Sequence, residues 1–552
     1  MKPARLTREE CERLARVFER YFETVIRNLS PLPWWEKSKT WLRRCAAELM
    51  LAKLRRLHKK QDSRVVLVDA MWDNPNYWVR YILIRAALGL SQSKEVGVLG
   101  QYRSRECRLT LKRFGISEIV QIVQLRGDLE LHRAEARYLL AETKTPDDIL
   151  AWKLPHDFPG DFVYDGILKR QRAACVNIDD PKLVDYVAEA LGSIEASRRL
   201  LNTFSFDLLL LSHTVNFQFA SLAWLAVRRG IPVVLLYGNY GSPRYAKILR
   251  AEDIYDTTDR PKRTDIESLP LNKAEALADA GRAYLKKRRA GQTDDIGARY
   301  AYQKREEWVD RATIGQLFGW KHDCPVIAVY ASNWFDFPHP CGMTNFRDFL
   351  DWLQQTIEVA NRTERVQWLF KGHPCDEWYG GVTLSDLMPK DCPPHVRLAP
   401  MSWNGEAILD CVDGLVTYHG TAGIEYAASG KPVLLADRGW YHDAGFAKWS
   451  RSRGEYLACL ATDWWKELDL ARTTRCAQIF AGWYFCRPDW QGGFVFQDDT
   501  FQDRIYENIP GLLSDNNEEV ITRELKTIRE WFTSESRHYH TFKMDKASEF
   551  SL

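Results

Sequence analysis

CVDGLVTYHGTAGIEYAASGKPVLLA, residues 411–436, reads as a strand, a tight turn, a helix and a second strand. Leu415, Val416 and Thr417 form a short apolar, β-branched run that hands the chain to Gly420 and Gly423. IEYAAS then has the spacing of a helix packed on a sheet, and Gly430-Lys431-Pro432 closes it, as a glycine stop followed by proline does. Glycines let the backbone approach a ligand, and the N–H groups and dipole of a first helical turn favour an anion. His419-Gly420-Thr421 is therefore a candidate phosphate cradle, with Glu425 one turn on, where its carboxylate would meet a ribose hydroxyl. The competing reading is a turn whose glycines serve packing alone.

A second loop points the same way. Val366 to Phe370 is strand-like and ends in Lys371-Gly372-His373-Pro374, so a lysine and a histidine emerge at the carboxyl end of a strand 46 residues before His419. In open parallel sheets ligands sit beyond the carboxyl ends of the strands. There His373 is placed to donate to a phosphate oxygen, Lys371 adds a point charge, and Pro374 stiffens the loop.

Working outward, strands and helices alternate from Arg64: VVLVDA, EVGVLG and EIVQI, then LLLLS and VVLLY, with helical patterns between them. A second series runs through VIAVY, WLF, HVRLA, GLVTY and PVLLA. Alternation of this kind implies parallel sheets with helices on both faces. The expected fold is α/β, GT-B: two Rossmann-like doubly wound domains facing across a cleft, with an amino-terminal helical extension. The expected boundaries are 1–60 for a basic amphipathic extension, 61–255 for the first domain and 256–319 for a helical connection, then 320–488 for the second domain and 489–552 for a helical tail crossing back onto the first. No internal repeat or low-complexity tract argues for a solenoid.

Composition agrees with a globular enzyme. Of 552 residues 45% are hydrophobic and 27% charged, and a net charge of only +3 argues against a nucleic-acid partner. The first sixty residues hold sixteen Lys and Arg against seven Glu. There Trp34, Trp35 and Trp41 lie beside Lys37, Lys39, Arg43 and Arg44, which suits either peripheral contact with an anionic membrane or a helical hairpin packed on the first sheet. The twelve cysteines show no CxxC pair or metal-ligand spacing, which predicts reduced thiols and a cytoplasmic protein. No apolar run reaches the ~18–20 residues of a membrane span, and no signal-peptide core follows the first charges. Work on a membrane-linked acceptor would take place at the inner face of the cytoplasmic membrane.

KGHP and TYHGTAGIEYAASGKPVLLA together resemble the carboxyl-terminal half of bacterial capsule and surface-polysaccharide glycosyltransferases of the GT-B type. That group includes the Kdo transferases of capsule assembly and, more distantly, the HP-motif sialyltransferases and the CDP-glycerol polyol-phosphate transferases. GDFVYDGILKR at 160–170, DLLLLSHTVNFQFASLAWLAVRRGIPVVLLYGNYGSPRYAKI at 207–248 and VIAVYASNWFDFPHP at 326–340 are similar to the same group. The resemblance implies transfer of a sugar from a nucleotide-activated donor to a glycan or glycolipid acceptor. An acidic sugar on CMP, such as CMP-Kdo, is favoured as donor, although Thr421 replaces a serine pair seen in some of these families, so a UDP- or GDP-sugar stays open. Donor-binding residues are then Lys371, His373, Pro374, His419, Gly420, Thr421 and Glu425. No cofactor is expected beyond the nucleotide sugar, and the lack of a DxD pair flanked by strand residues implies a reaction without a metal.

Three residues of the first half are catalytic candidates. Asp165 matches a carboxylate of the similar family stretch as base or nucleophile, or else is a solvated helix cap. His213 follows the LLLLS strand as base, or else caps the next helix. Arg244, after GNYGSP, binds a carboxylate or phosphate, or else is a surface arginine. Asp69, Asp73, Asn333 and Asp336 also sit at strand ends, and His339-Pro340 reads as a plain turn. Retention would use Asp165 covalently, and inversion would use Asp165 or His213 as base. The rival functions are a polyol-phosphate transferase, a sugar-nucleotide 2-epimerase, and a non-catalytic polysaccharide assembly or export partner.

Overall fold

A computed structural model describes residues 64–486, apart from 74, 91–92, 102–103, 238–243, 258–259, 293–297, 299–300 and 303–306, together with 518–540 and Cys45. Apart from Cys45, the basic segment 1–60, with its proposed membrane contact, and the GNYGSP loop lie outside the described residues.

The first sheet contains β1 (Val65–Ala70), β2 (Lys94–Leu99), β3 (Glu118–Gln121), β4 (Leu208–Leu211), β5 (Val233–Tyr237) and β6 (Arg244–Ile248). The second contains β7 (Val326–Tyr330), β8 (Gln367–Lys371), β9 (Val396–Leu398), β10 (Gly414–Thr417), β11 (Val433–Leu435) and β12 (Lys448–Trp449). A last strand, β13 (His538–His540), returns to the first sheet. Strand order is β13-β6-β5-β4-β1-β2-β3 in one sheet and β9-β8-β7-β10-β11-β12 in the other. Within the first sheet β1 to β5 are parallel and β6 and β13 are added antiparallel, while every pairing of the second sheet is parallel. These are two Rossmann-like sheets in a GT-B-like α/β fold, wound alike: each chain segment runs outward from a central strand, then reverses to its other side.

The physical cause lies in the strands. LLLL of β4 is buried throughout, as expected where helices cover both faces of a parallel sheet. Along β1, Val66, Val68 and Ala70 pack into one layer with α1 (Pro75–Leu88) and α9 (Glu518–Thr533), whereas Leu67 faces the opposite layer. That opposite layer holds α2 (Gly160–Gln171), α3 (Leu183–Thr203) and α4 (Asn216–Arg228), and it continues without a break into α6 (Phe349–Arg362) of the second half. The far face of the second sheet is covered by α5 (Leu271–Arg289) and α8 (Leu470–Phe485). After residue 517 the described chain lies on the first half, with α9 against α1 and β13 beside β6. No helix among the described residues is long and apolar enough to cross a membrane.

Polar contacts fix one half against the other. The Tyr164 hydroxyl of α2 donates to Asp348, the cap of α6, at 2.6 Å. Lys169 Nζ, from the same helix, lies 3.1 Å from Asp336 and within 5.2 Å of the centres of the Phe335, Phe337 and Tyr379 rings.

Candidate functional site

Both sheets reverse their winding between their first and fourth strands, and α/β ligand crevices open beyond the carboxyl ends at such switch points. In the first sheet this is the gap between β1 and β4, and in the second the gap between β7 and β10. His213 is the second residue after β4 and His419 is the second after β10, so the two halves place a histidine at the same offset from equivalent strands.

At the first switch point, Asp69 near the end of β1 is 1% exposed. Its carboxylate accepts from Met71 N at 2.7 Å and from Ser212 N at 2.8 Å, and it also takes the Ser212 hydroxyl proton. Burial raises the pKa of this carboxyl, and the bonds from Ser212 and Met71 pull it back. The Ser212 hydroxyl in turn meets His213 Nδ1 at 2.9 Å. Trp72 stacks on the imidazole at 4.8 Å and 10°, and Phe219 packs at 5.2 Å. His213 does not cap α4, because Asn216 Oδ1 accepts from Gln218 N at 2.7 Å and does so itself.

The second switch point is held from behind. Tyr441 donates its hydroxyl to Gly420 O at 2.6 Å, and Trp440 Nε1 donates to His419 O at 3.0 Å. Gly420 N donates to Thr417 Oγ1 at 3.3 Å. A Cβ on Gly423 would lie 2.1 Å from the Tyr441 hydroxyl, so only glycine permits this closure beside Thr421. His419 packs edge-on to Phe349 and Tyr418, and its Nδ1 is buried with no hydrogen-bond partner among the described residues. The turn forms as the sequence predicts, although the helix it opens, α7 (Ala422–Ala428), has only seven residues. In the neighbouring loop His373 Nδ1 accepts from Cys375 N at 3.2 Å, which puts the ring proton of the neutral form on Nε2 as a donor. Pro374 sits between them. Lys371, last residue of β8, is 2% exposed with Nζ 5.6 Å from the centre of the Tyr330 ring.

Electrostatics links the two walls. Burial pushes the imidazoles of His213 and His419 down to about 4; the charge of Asp336 opposes the shift at His213, and those of Asp437 and then Asp336 oppose it at His419. One carboxylate on the loop after β7 therefore acts on a histidine from each half, and both rings are neutral at pH 7.

Four readings are corrected by the packing. Glu425 does not offer its carboxylate to a ribose: it is 3% exposed, with one oxygen on Arg288 Nε and the other on the Tyr302 hydroxyl. Asp165 is neither a solvated cap nor an open nucleophile. It is fully buried within α2, with Oδ1 2.6 Å from His339 Nδ1 and Oδ2 accepting from His339 N at 3.2 Å. His339, read from sequence as a plain turn, is thus the second-half partner of Asp165. Burial disfavours charge on its ring, yet the Asp165 carboxylate raises its pKa. Arg244 is no surface arginine: it opens β6, is 1% exposed, and its guanidinium lies 3.9 Å from the centre of the Tyr484 ring of α8.

Of the remaining strand-end residues, Asp73 is buried and accepts from Trp78 Nε1 at 3.1 Å, and Asn333 is buried with Oδ1 near Phe335 N at 3.4 Å. Sequence reasoning passed over Ser212, Trp72 and Asp437. Asp437 is a buried carboxylate that gathers Thr344, Asn345 and the Tyr418 hydroxyl, the last at 2.6 Å. Trp72, lying between Asp69 and Asp73 at a strand end, carried the one legible signal. Among the described residues no group of three or more His, Cys, Asp or Glu is placed to hold a metal ion.

No family model and no curated protein matches the sequence. Among solved structures, the UDP-GlcNAc 2-epimerase from Neisseria meningitidis bound to UDP-GlcNAc is 13% identical, with 76% of this chain and 95% of that one covered at a TM-score of 0.24. A glycosyltransferase from Rickettsia africae is 9% identical, covering 83% and 100% at 0.25, and the glycosyltransferase SnogD from Streptomyces nogalater 11%, covering 76% and 98% at 0.22. At these identities and TM-scores the likeness carries no functional weight.

Proposed function

We propose that the chain is a nucleotide-sugar-dependent glycosyltransferase whose donor lies against the second sheet and whose acceptor lies against the first, with a capsular or lipopolysaccharide-type glycan as acceptor. The observation that carries this reading is the placement of His213 and His419 at the same offset beyond equivalent strands at the two switch points. His373 Nε2–H, the Gly420-Thr421 turn and the buried Lys371 answer the charge on the departing phosphate. Arg244, which opens β6 with its guanidinium over the Tyr484 ring of α8, is assigned to a carboxylate or phosphate of donor or acceptor. An acidic sugar on CMP, such as CMP-Kdo, is the favoured donor on the strength of the KGHP and HGTAG resemblance.

The burial of Asp165 turns the mechanism toward inversion. With both oxygens engaged by His339, Asp165 is not free to be the covalent nucleophile of a double displacement, and we assign it to orienting His339 instead. His213 is then the base of a single displacement.

A thermal-shift screen of the full chain against CMP, CDP, UDP, GDP and UMP tests the proposal, with His373→Ala and His419→Ala alongside. A CMP-specific rise in Tm that both substitutions abolish supports it. A UDP-specific rise moves the chain toward the 2-epimerase reading, and no response to any nucleotide removes the enzyme reading in favour of an assembly partner.

A further inference from the structure

We infer that Asp69 and Ser212 are positioning residues for the proposed transfer: they hold the His213 imidazole with its proton on Nδ1, so that Nε2 receives the proton of the acceptor hydroxyl. The inference rests on the glycosyltransferase reading and adds to it the device that makes His213 a base.

The argument is one of hydrogen counting. Asp69 receives N–H groups from Met71 and Ser212 on its two oxygens and the Ser212 hydroxyl besides, so it acts as an acceptor throughout. A serine hydroxyl has one proton, and here that proton is committed to Asp69. His213 Nδ1, at 2.9 Å from the same hydroxyl oxygen, must then supply the proton of its own contact. A neutral imidazole protonated at Nδ1 carries its lone pair on Nε2, for which no hydrogen-bond partner is present among the described residues. Burial, which pushes the ring down to about 4 against the pull of Asp336, keeps that lone pair available at neutral pH. Trp72 and Phe219 hold the plane of the ring, so the flip that would put Cδ2 in place of Nδ1 beside Ser212 is opposed.

The device depends on topology rather than on local sequence. Asp69 and Ser212 are 143 residues apart and meet because β1 and β4 are neighbours at the switch point. Trp72, 43% exposed, extends the same surface with an open indole face of the kind on which sugar rings stack. In the transfer, the acceptor oxygen bonds to the anomeric carbon as the bond from that carbon to the phosphate oxygen breaks. The nucleotide leaves with the electron pair, and the acceptor proton passes to His213 Nε2 and then to solvent.

Histidine-selective ¹⁵N NMR of the full chain, with His213→Asn to assign the signals, reads the tautomer without any substrate. CMP release from CMP-Kdo reads the chemistry. In the wild type His213 shows the Nδ1–H form. Ser212→Ala is expected to lose that signature and to slow release about 100-fold, the usual size of a general-base effect, with the donor KM unchanged. Ser212→Thr, which keeps a hydroxyl, restores both readouts, and Asp69→Asn behaves like Ser212→Ala. A Ser212→Ala chain that retains the Nδ1–H signature overturns the inference, as does one that loses it yet turns over at the wild-type rate; in both cases the glycosyltransferase reading stands. A wild-type chain that binds and turns over no nucleotide sugar overturns the reading itself, and with it the inferred proton transfer.

Discussion

Arg288→Met separates a structural Glu425 from a ribose-binding one. The Glu425 carboxylate is 3% exposed and Arg288 is 4% exposed, and the pair is completed by the Tyr302 hydroxyl. Removing the guanidinium leaves a buried carboxylate held by that hydroxyl, and breaking a buried pair in this way costs about 3–5 kcal/mol. Tyr302→Phe removes one hydrogen bond to a charged acceptor, about 1.5–3 kcal/mol. Each kcal/mol moves the Tm of a domain of this size by about 2–4 °C, so Arg288→Met lowers Tm by roughly 6–20 °C and Tyr302→Phe by roughly 3–12 °C. Glu425→Gln strands Arg288 instead and falls in the Arg288→Met range. Scanning fluorimetry with and without a nucleotide that shifts the wild type decides the matter, because a ligand at a hundred times its Kd adds about 2.7 kcal/mol, which a structural Glu425 leaves intact. A Glu425→Gln chain that melts within about 2 °C of wild type but has lost the nucleotide-induced rise would refute this reasoning and return Glu425 to the ribose.

Lys169→Met empties the cage formed by Phe335, Phe337, Tyr379 and Asp336, whose cation–π contacts contribute about 0.5–1 kcal/mol each at such half-exposed sites. Small-angle scattering should show a larger radius of gyration, and an unchanged one rejects the cage as a tie between the halves. The raised pKa of His339 gives a signed pH dependence: its stabilisation is complete below its unfolded value near 6.5 and is lost as pH rises through the folded value. Wild-type Tm relative to His339→Gln should therefore fall as pH rises above about 6.5, and parallel curves would contradict the pair with Asp165. Gly423→Ala drives a methyl into the Tyr441 hydroxyl at a cost of about 1–3 kcal/mol and should abolish the nucleotide-induced rise. Adding Tyr441→Phe should recover part of it, and a nucleotide response untouched by Gly423→Ala would place the ligand elsewhere.

What was legible in the sequence follows from which interactions are local. VVLVDA, LLLLS, VIAVY and GLVTY announce strands because residues buried on both faces leave continuous apolar runs, and the HGTAG turn is legible because its glycines answer a local crowding by Tyr441. The partners of the charged groups were not legible. Nothing near Glu425 tells which side of α7 it takes, and Arg288 and Tyr302 come from a segment more than a hundred residues earlier. Asp165 and His339 are 174 residues apart, and a His-Pro dipeptide after a strand looks the same whether or not a buried carboxylate waits across the cleft. Even His213, singled out for its place after a strand, owed its best argument to Asp69, which only the non-consecutive pairing of β1 with β4 brings to Ser212.

Equivalent position does not make the two switch-point histidines chemically equivalent, and the difference gives the cleft its direction. Nδ1 of His213 is satisfied by Ser212, so its proton is fixed and only the Nε2 lone pair is left open. Nδ1 of His419 is buried with no partner among the described residues, a condition that costs about 1–3 kcal/mol until something bonds to it. A neutral ring in that state gains from a ligand that fills the turn beside Gly420 and Thr421, whereas His213 gains nothing from binding and has only a lone pair to give. On the proposed reading, binding energy is therefore collected at the second sheet and proton transfer is carried out at the first. Asp336 works against this division, since its charge favours protonation of both rings, as Asp437 does more strongly at His419, and burial outweighs them.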